Sequence, residues 1–413
     1  MHGTKSRVLE QCESAAPGEL TGGRRARLIA FYLPQFHPIP ENDEWWESGF
    51  TEWTNVAKAK PLFPGHWQPR LPADLGFYDL RVPETRHAQA ELARKAGIEG
   101  FCYWHYWFGG KRLLERPFME MVASGEPDYP FCVGWANQSW TGTWHGAPNR
   151  ILMEQTYPGA EDHERHFHAL LPAMLDSRHI CVEGKPLVLI YAPRELPEAA
   201  RFLEQWRNLA SSNGLSGLHF VANLWARDDD YDPIEEGFDG VVYSNPRAVS
   251  AYSKYDIALA RSNGTDAAPL WHKAQAFRHA LPDRVRHRLR RWRRQPLEVF
   301  RYADAVGVLD RELRTASGGQ REYPCVLPNW DNSPRSGRRA LILTDSSPEL
   351  FRGHLRRALD WAERLPRENR LVFVKSWNEW AEGNYLEPDQ RFGHRYLDVV
   401  REECMDGRDS AVV

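Results

Sequence analysis

The chain has 413 residues, 42% hydrophobic and 26% charged, which supplies a full apolar core and argues against global disorder. With 53 basic against 56 acidic side chains and a net charge of −3, it offers no global electrostatic case for nucleic acid. None of the six cysteines forms a CxxC pair, which argues against a zinc-finger-like site and leaves free buried thiols as the plain reading.

In chain order, residues 1–24 are polar and read as a flexible N-terminal arm. No apolar stretch of signal-peptide length follows, and no segment approaches a membrane span, so a soluble cytoplasmic protein is expected. A β-rich run predicts a first strand over Arg27–Gln35. The long interval 36–82, rich in Pro, Trp and acids, predicts an elaborate loop over the mouth of the fold. Helical spacing over Pro83–Ala96, stopped by Gly97, leads to a strand at Ile98–Trp107. Further strands are predicted at Phe131–Gln138, Pro186–Ala192, Leu218–Trp225, Gly240–Asn245, Pro324–Trp330 and Leu371–Trp377. Helices are predicted at His163–Leu175, Pro197–Asn213 (stopped by Gly214) and Pro348–Leu365. Eight buried strands alternating with helices predict an α/β fold, a (β/α)8 TIM barrel with long βα loops. A doubly wound sheet is the rival, but no Gly-rich phosphate loop follows the first strand. The expected organisation is one catalytic domain over 25–405, with an insertion at about 257–300 and a C-terminal tail at 406–413.

That insertion is strongly basic, with Arg284, Arg286, Arg288, Arg290, Arg291, Arg293 and Arg294 around a narrow apolar stripe of Val285, Leu289 and Trp292. It reads either as a solvated helix or as a contact for an anionic lipid carrier or the inner-membrane surface.

In such barrels the site lies at the C-terminal ends of the strands. The residues there are Gln35 and His37; Trp104, His105 and Tyr106; Asn137 and Gln138; Tyr191; Asn223 and Trp225; Ser244 and Asn245; Asn329, Trp330, Asp331 and Asn332; and Asn378, Glu379 and Glu382. Amides and imidazoles bond sugar hydroxyls, and flat rings stack on sugar faces. With 17 Trp and 15 Tyr, many in polar company, the chain suits either a glycan cleft or a large aromatic core. Tyr32, Trp53 and Trp140 join the substrate-binding candidates. The last strand leads into Ser376-Trp377-Asn378-Glu379-Trp380-Ala381-Glu382. Glycoside chemistry needs two carboxyl groups, one protonated and one ionised, and close like charges push one of them up. Trp377 and Trp380 beside the pair make an ordinary exposed acidic turn the weaker reading.

Glu52 reads equally as a catalytic partner, a hydroxyl acceptor or a structural acid. His37 and His105 are candidate bases or sugar ligands, although a lone His is more often structural. Asp228-Asp229-Asp230 with Asp232 is taken as a solvated acidic loop, with calcium binding as the alternative, despite its likeness to a DxD metal motif. No metal site and no cofactor are expected. The absence of GxSxG, HExxH and P-loop motifs argues against esterase, zincin and nucleotide-hydrolase readings.

The stretch running from YLPQFHPIPENDEWWESGFTEW to LGFYDLR closely resembles the opening of WbsX-type proteins. GFCYWHYWFGGKRLLERPF, WANQSWTGTW and KSWNEWAEGNYLEPD resemble further blocks of that family, in order, across most of residues 27–400. These proteins are glycoside hydrolase family 99-like and often accompany O-antigen and polysaccharide biosynthesis. The resemblance implies a (β/α)8 barrel and a retaining mechanism through a 1,2-anhydro sugar. It assigns Glu379 as base toward the substrate 2-hydroxyl and Glu382 as general acid/base. Many WbsX-type proteins read WANENWTRRW where this chain has Gln138 in place of an acid and Gly142 in place of an Arg. The expected function is a retaining glycoside hydrolase or transglycosidase acting on an α-linked, mannan-like or O-antigen polysaccharide. The alternatives are a glycosyltransferase of lipopolysaccharide biosynthesis and a non-catalytic glycan-binding protein.

Overall fold

A computed structural model describes residues 23–142, 147–225, 230–244, 297–315 and 321–405. The N-terminal 22 residues, Asp228, Asp229, Asn245, the basic run Arg284–Arg294 and the tail 406–413 lie outside the described residues.

Nine parallel strand segments form a nearly closed barrel. They are β1 (Arg27–Tyr32), β2 (Gly100–Phe108), β3 (Phe131–Trp135), β4 (Lys185–Ile190), β5 (His219–Leu224), β6 (Gly240–Tyr243), β7 (Glu322–Tyr323), β8 (Cys325–Val326) and β9 (Leu371–Val374). Neighbours pair in chain order from β1 to β7, while β8 pairs with β9 and β9 with β1. These strands read as nearly continuous apolar runs because helices cover one face and the barrel interior the other. All six residues of β1 and all nine of β2 are buried.

The segments fill eight barrel positions, since β7 and β8 are one stave divided at Pro324. Proline has no N–H for the ladder, but its carbonyl still accepts from Phe373 N at 2.8 Å. The architecture is therefore the expected (β/α)8 TIM barrel. Several strand ends fall short of prediction, the first, third and eighth strands stopping at Tyr32, Trp135 and Val374. The seventh predicted strand leaves the ladder at Val326 rather than Trp330. Leu327 and Trp330 turn into a second apolar cluster with Tyr302, Leu341 and Leu343. That cluster packs under a small parallel pair, Glu298–Arg301 with Leu341–Thr344.

Helices follow most strands: α1 (Pro83–Lys95), α2 (Arg116–Ser124), α3 (Ala160–Met174), α4 (Ala199–Ser212), α5 (Tyr302–Thr315), α6 (Pro348–Ala362) and α7 (Arg395–Cys404). α1, α3, α4 and α6 match the predicted helices closely, and Gly97 and Gly214 stop α1 and α4 at φ +87° and +90°. The first loop carries two short helices, Pro40–Trp45 and Glu52–Lys58. Inside the barrel Phe31 stacks between Trp104 and Phe373, with ring centroids 4.9 and 5.5 Å away. A side chain at Gly134 would meet the Trp104 ring at 2.9 Å, so the absent Cβ makes room for that ring. Among the described residues no helix is long and apolar enough to cross a membrane.

Candidate active site

A cleft of about 370 Å³ opens at the C-terminal end of the barrel. Glu52, Trp104, Tyr106, Gln138, Trp140, Tyr191, Glu379 and Glu382 line it. These come from the first loop and from the ends of β2, β3, β4 and β9. Strand alternation selects among them. Trp104 and Tyr106 face the cleft, while His105 between them points back toward α3 and meets His166 at 3.0 Å between their Nε2 atoms. Burial pushes His105 down to about 3, so this imidazole stays neutral.

The acids are gathered by a residue that the sequence reading did not single out. Arg335 sits on the short helix Ser333–Ser336. Its Nε donates to Glu52 Oε2 at 3.0 Å, its Nη1 to Glu382 Oε1 at 2.8 Å and its Nη2 to Glu379 Oε1 at 2.7 Å. Three carboxylates thus share one planar guanidinium, a geometry that a lysine ammonium would not reproduce. Glu52 reaches it from the first turn of the helix Glu52–Lys58. Burial pushes Glu379 up to about 7. The Arg335 charge opposes that rise, and the neighbouring charges of Glu382 and Glu52 add to it.

The loop carrying Glu379 and Glu382 is held from behind. Asn378 accepts from Leu33 N at 2.8 Å and donates to Leu33 O at 3.0 Å, continuing the β9–β1 pairing with a side chain. Trp380 stacks on Tyr385 with centroids 3.8 Å apart and donates from Nε1 to Glu387 at 2.6 Å. Glu387 also accepts from Gln89 at 2.6 Å and from the Tyr78 hydroxyl at 2.9 Å. Burial pushes Glu387 up to about 7 as well. Tyr32 bonds Gln89 at 2.7 Å and so belongs to this network behind the cleft. Trp53 packs on Phe36, Tyr78 and Trp380, and Trp377 is fully buried.

Asp331 lies beneath Glu382 and donates its backbone N–H to the Glu382 carbonyl at 2.6 Å. Its carboxylate accepts from His66 at 2.8 Å and Gln68 at 2.7 Å, with Arg70 at 3.5 Å. Burial alone would raise Asp331, but the His66 hydrogen bond and the Arg70 charge lead a set of contacts that holds it at about 2. Arg70 also donates to the Gly383 carbonyl at 2.8 Å. Gly383 has φ +60°, and a Cβ there would meet Arg70 Nη1 at 2.8 Å and Asp331 Cβ at 3.0 Å.

Gln35 also lines the cleft, and the remaining predicted residues sit outside it. His37 is buried against the Pro34 carbonyl. Asn137 ties down Ala192 through its N–H and carbonyl. Asn223 bonds the Tyr191 carbonyl and Ser244. Trp330 is in the second apolar cluster, and Trp225 is 46% exposed at the end of β5. Asp232 accepts from Ile234 N within its own turn. Among the described residues no group of three or more His, Cys, Asp or Glu is placed to hold a metal ion. Sequence reasoning missed Arg335 because it lies beyond the strand-end stretch Asn329–Asn332, inside Ser333-Pro334-Arg335-Ser336. A basic residue just past a strand end that faces several acids was the available signal. Lys375 and Ser376, directly after β9, were missed as well.

The family described as Glycosyltransferase WbsX matches residues 28–400. The protein WxcX of Xanthomonas campestris pv. campestris, described as uncharacterized, is 38% identical over 389 residues in each of two strains. The match covers 94% of this chain and 50% of the relative, so the chain spans about half the length of the curated relatives it matches. A solved glycoside hydrolase-like protein has a TM-score of 0.54 at 13% identity, covering 94% of this chain and 95% of the other. The GH99 endo-alpha-mannosidase from Bacteroides thetaiotaomicron has a TM-score of 0.52 at 13% identity, covering 94% and 99%. At that identity the likeness extends to the fold.

Proposed function

The chain belongs to the Glycosyltransferase WbsX family, and on that premise we propose that its barrel cleft is the active site of a carbohydrate-active enzyme, a retaining glycosidase or transglycosidase for an α-linked glycan. The observation that carries the reading is the pair Glu379 and Glu382 bound side by side on Arg335 in an aromatic-walled cleft. Trp104, Tyr106, Trp140 and Tyr191 offer ring faces and edges to a sugar. Glu379, lifted by burial to about 7, is matched to proton transfer near neutral pH.

The steps follow the GH99-like resemblance. The Glu379 carboxylate takes the proton of the sugar 2-hydroxyl, and that oxygen attacks the anomeric carbon. The glycosidic C–O bond breaks as Glu382 protonates the leaving oxygen, and a 1,2-anhydro sugar forms. Glu382, now a carboxylate, takes a proton from water or an acceptor hydroxyl, whose oxygen attacks the anomeric carbon. The three-membered ring opens, and Glu379 returns the proton to the 2-oxygen. Two inversions give net retention. Glu52 and Arg335 fix the acids, and Asn378, Trp380 and Asp331 hold their loop.

The test is a digest of a defined oligosaccharide panel, α-mannans and O-antigen fragments included, with the product anomer read by NMR. Retained α-anomer supports the scheme, and first-formed β-product sinks it. The family's description favours a second reading, transfer from a nucleotide sugar. Calorimetry that finds no nucleotide-sugar binding counts against it.

A further inference from the structure

Lys375 follows β9 directly and lines the cleft beside Ser376 and Leu33. It is only 9% exposed. Its ammonium lies 5.5 Å from the centroid of the Trp330 ring, which steadies a cation without neutralising it. The three cleft carboxylates, Glu52, Glu379 and Glu382, are all bound by Arg335, and among the described residues no acid pairs with Lys375. The nearby Cys325 thiol is no counter-ion, because burial pushes it up to about 12 and it stays neutral. Gln138 in the same lining is a neutral amide and adds no negative charge.

Burying a cation without an anion is costly unless the partner arrives with a ligand. The expense would be avoidable, since a methionine of similar length would fill the space over Trp330. We infer that Lys375 marks a subsite for an oxyanion borne by the bound sugar, either the carboxylate of a uronate or a phosphate ester. A compact ammonium with three donors suits a single oxyanion better than the ring hydroxyls of a neutral sugar. The inference rests on the reading of the cleft as a glycan site and narrows it to acidic or phosphorylated sugars. It also accounts for a cleft that carries three acids but ties all of them to one arginine. The acids are held off, and a second cation is left open to the ligand.

The experiment is a ligand-observed NMR titration of the full chain with matched probes. These are methyl α-D-mannopyranosiduronate, methyl α-D-mannopyranoside and α-D-mannose 1-phosphate, with the gluco and galacto sets alongside. One anionic probe is expected to bind ~10- to 100-fold more tightly than its neutral partner, the range of a hydrogen bond to a charged group. Preference for the uronate assigns an acidic glycan, and preference for the phosphate assigns a phosphorylated donor or carrier. Lys375→Met abolishes the preference and Lys375→Arg keeps most of it. Should Lys375→Met fail to fold, the wild-type comparison and Lys375→Gln decide the matter. Equal binding of neutral and anionic probes overturns the subsite. Binding of no probe in any set instead sinks the glycan reading of the cleft, a separate failure.

Discussion

Glu379 and Glu387 lie on the same loop, and burial lifts both to about 7, yet their surroundings differ in kind. Glu379 faces the cleft and accepts from a guanidinium shared with two other carboxylates. Glu387 is sealed behind Trp380 and takes hydrogen bonds from three neutral donors, Tyr78, Gln89 and Trp380. A raised pKa therefore does not by itself identify a catalytic acid. What separates the two is access to a ligand and the company of other charges.

The largest expected effect breaks the pair apart functionally. Glu379→Gln and Glu382→Gln should each lower turnover of a cleaved glycan by ~10²- to 10⁴-fold, the usual scale of general acid–base catalysis. Glu387→Gln, acting only through Trp380, should cost far less. Full activity in both of the first two variants would remove them from the chemistry.

Arg335→Met comes next, because it leaves three carboxylates facing one another in a buried site. Urea unfolding at neutral pH should show a loss of about 3–5 kcal/mol, the scale for a broken buried ion pair. Glu379 should also move higher, since the guanidinium opposes its rise, and the matching limb of the pH–rate profile should shift upward. An unmoved limb would mean that Arg335 does not act on Glu379.

Glu387→Gln sharpens the contrast through pH. The folded state keeps a proton on Glu387 up to about 7, whereas an ordinary glutamate releases it near 4.5. Between those values the unfolded chain binds fewer protons, so this group's contribution to stability falls as pH rises and levels off above the window. The substitution should cost about 1–3 kcal/mol at pH 4.5 or just below, through disrupted hydrogen bonds, and less toward pH 7 and above. A cost independent of pH would show that Glu387 does not titrate in this window. Asp331, held at about 2, behaves oppositely, with stability present above about 3.8 and lost as pH falls toward 2.

The smallest effect concerns the rim. Gln138 donates to Glu195, so the acid found in many WbsX-type proteins would here meet a carboxylate. Gln138→Glu should change stability by no more than about 0.5 kcal/mol at this partly exposed site, while altering glycan preference on an array.

The fold was legible because eight apolar runs and their helix stops are local signals. The cleft acids were legible because a barrel brings its strand ends together. Two things were not. Consecutive strand-end residues such as Trp104, His105 and Tyr106 look alike in a list, and only the pleat assigns the middle one to the helix side. Arg335 joins Glu52 and Glu382 across most of the chain, and no local pattern encodes a contact of that separation. The role of Asp331 beneath Glu382 depends on His66, Gln68 and Arg70 of the first loop, another long-range meeting.

Gly383 gives the site an unusual mutational profile. Its left-handed backbone and the absence of space toward Arg70 and Asp331 mean that any side chain there must displace the residue next to Glu382. In a saturation scan scored by activity, position 383 should be as intolerant as the acids themselves, although its missing side chain can touch no substrate. Alanine should fail nearly as badly as leucine. A screen of this protein would thus report an essential position whose requirement is for empty volume.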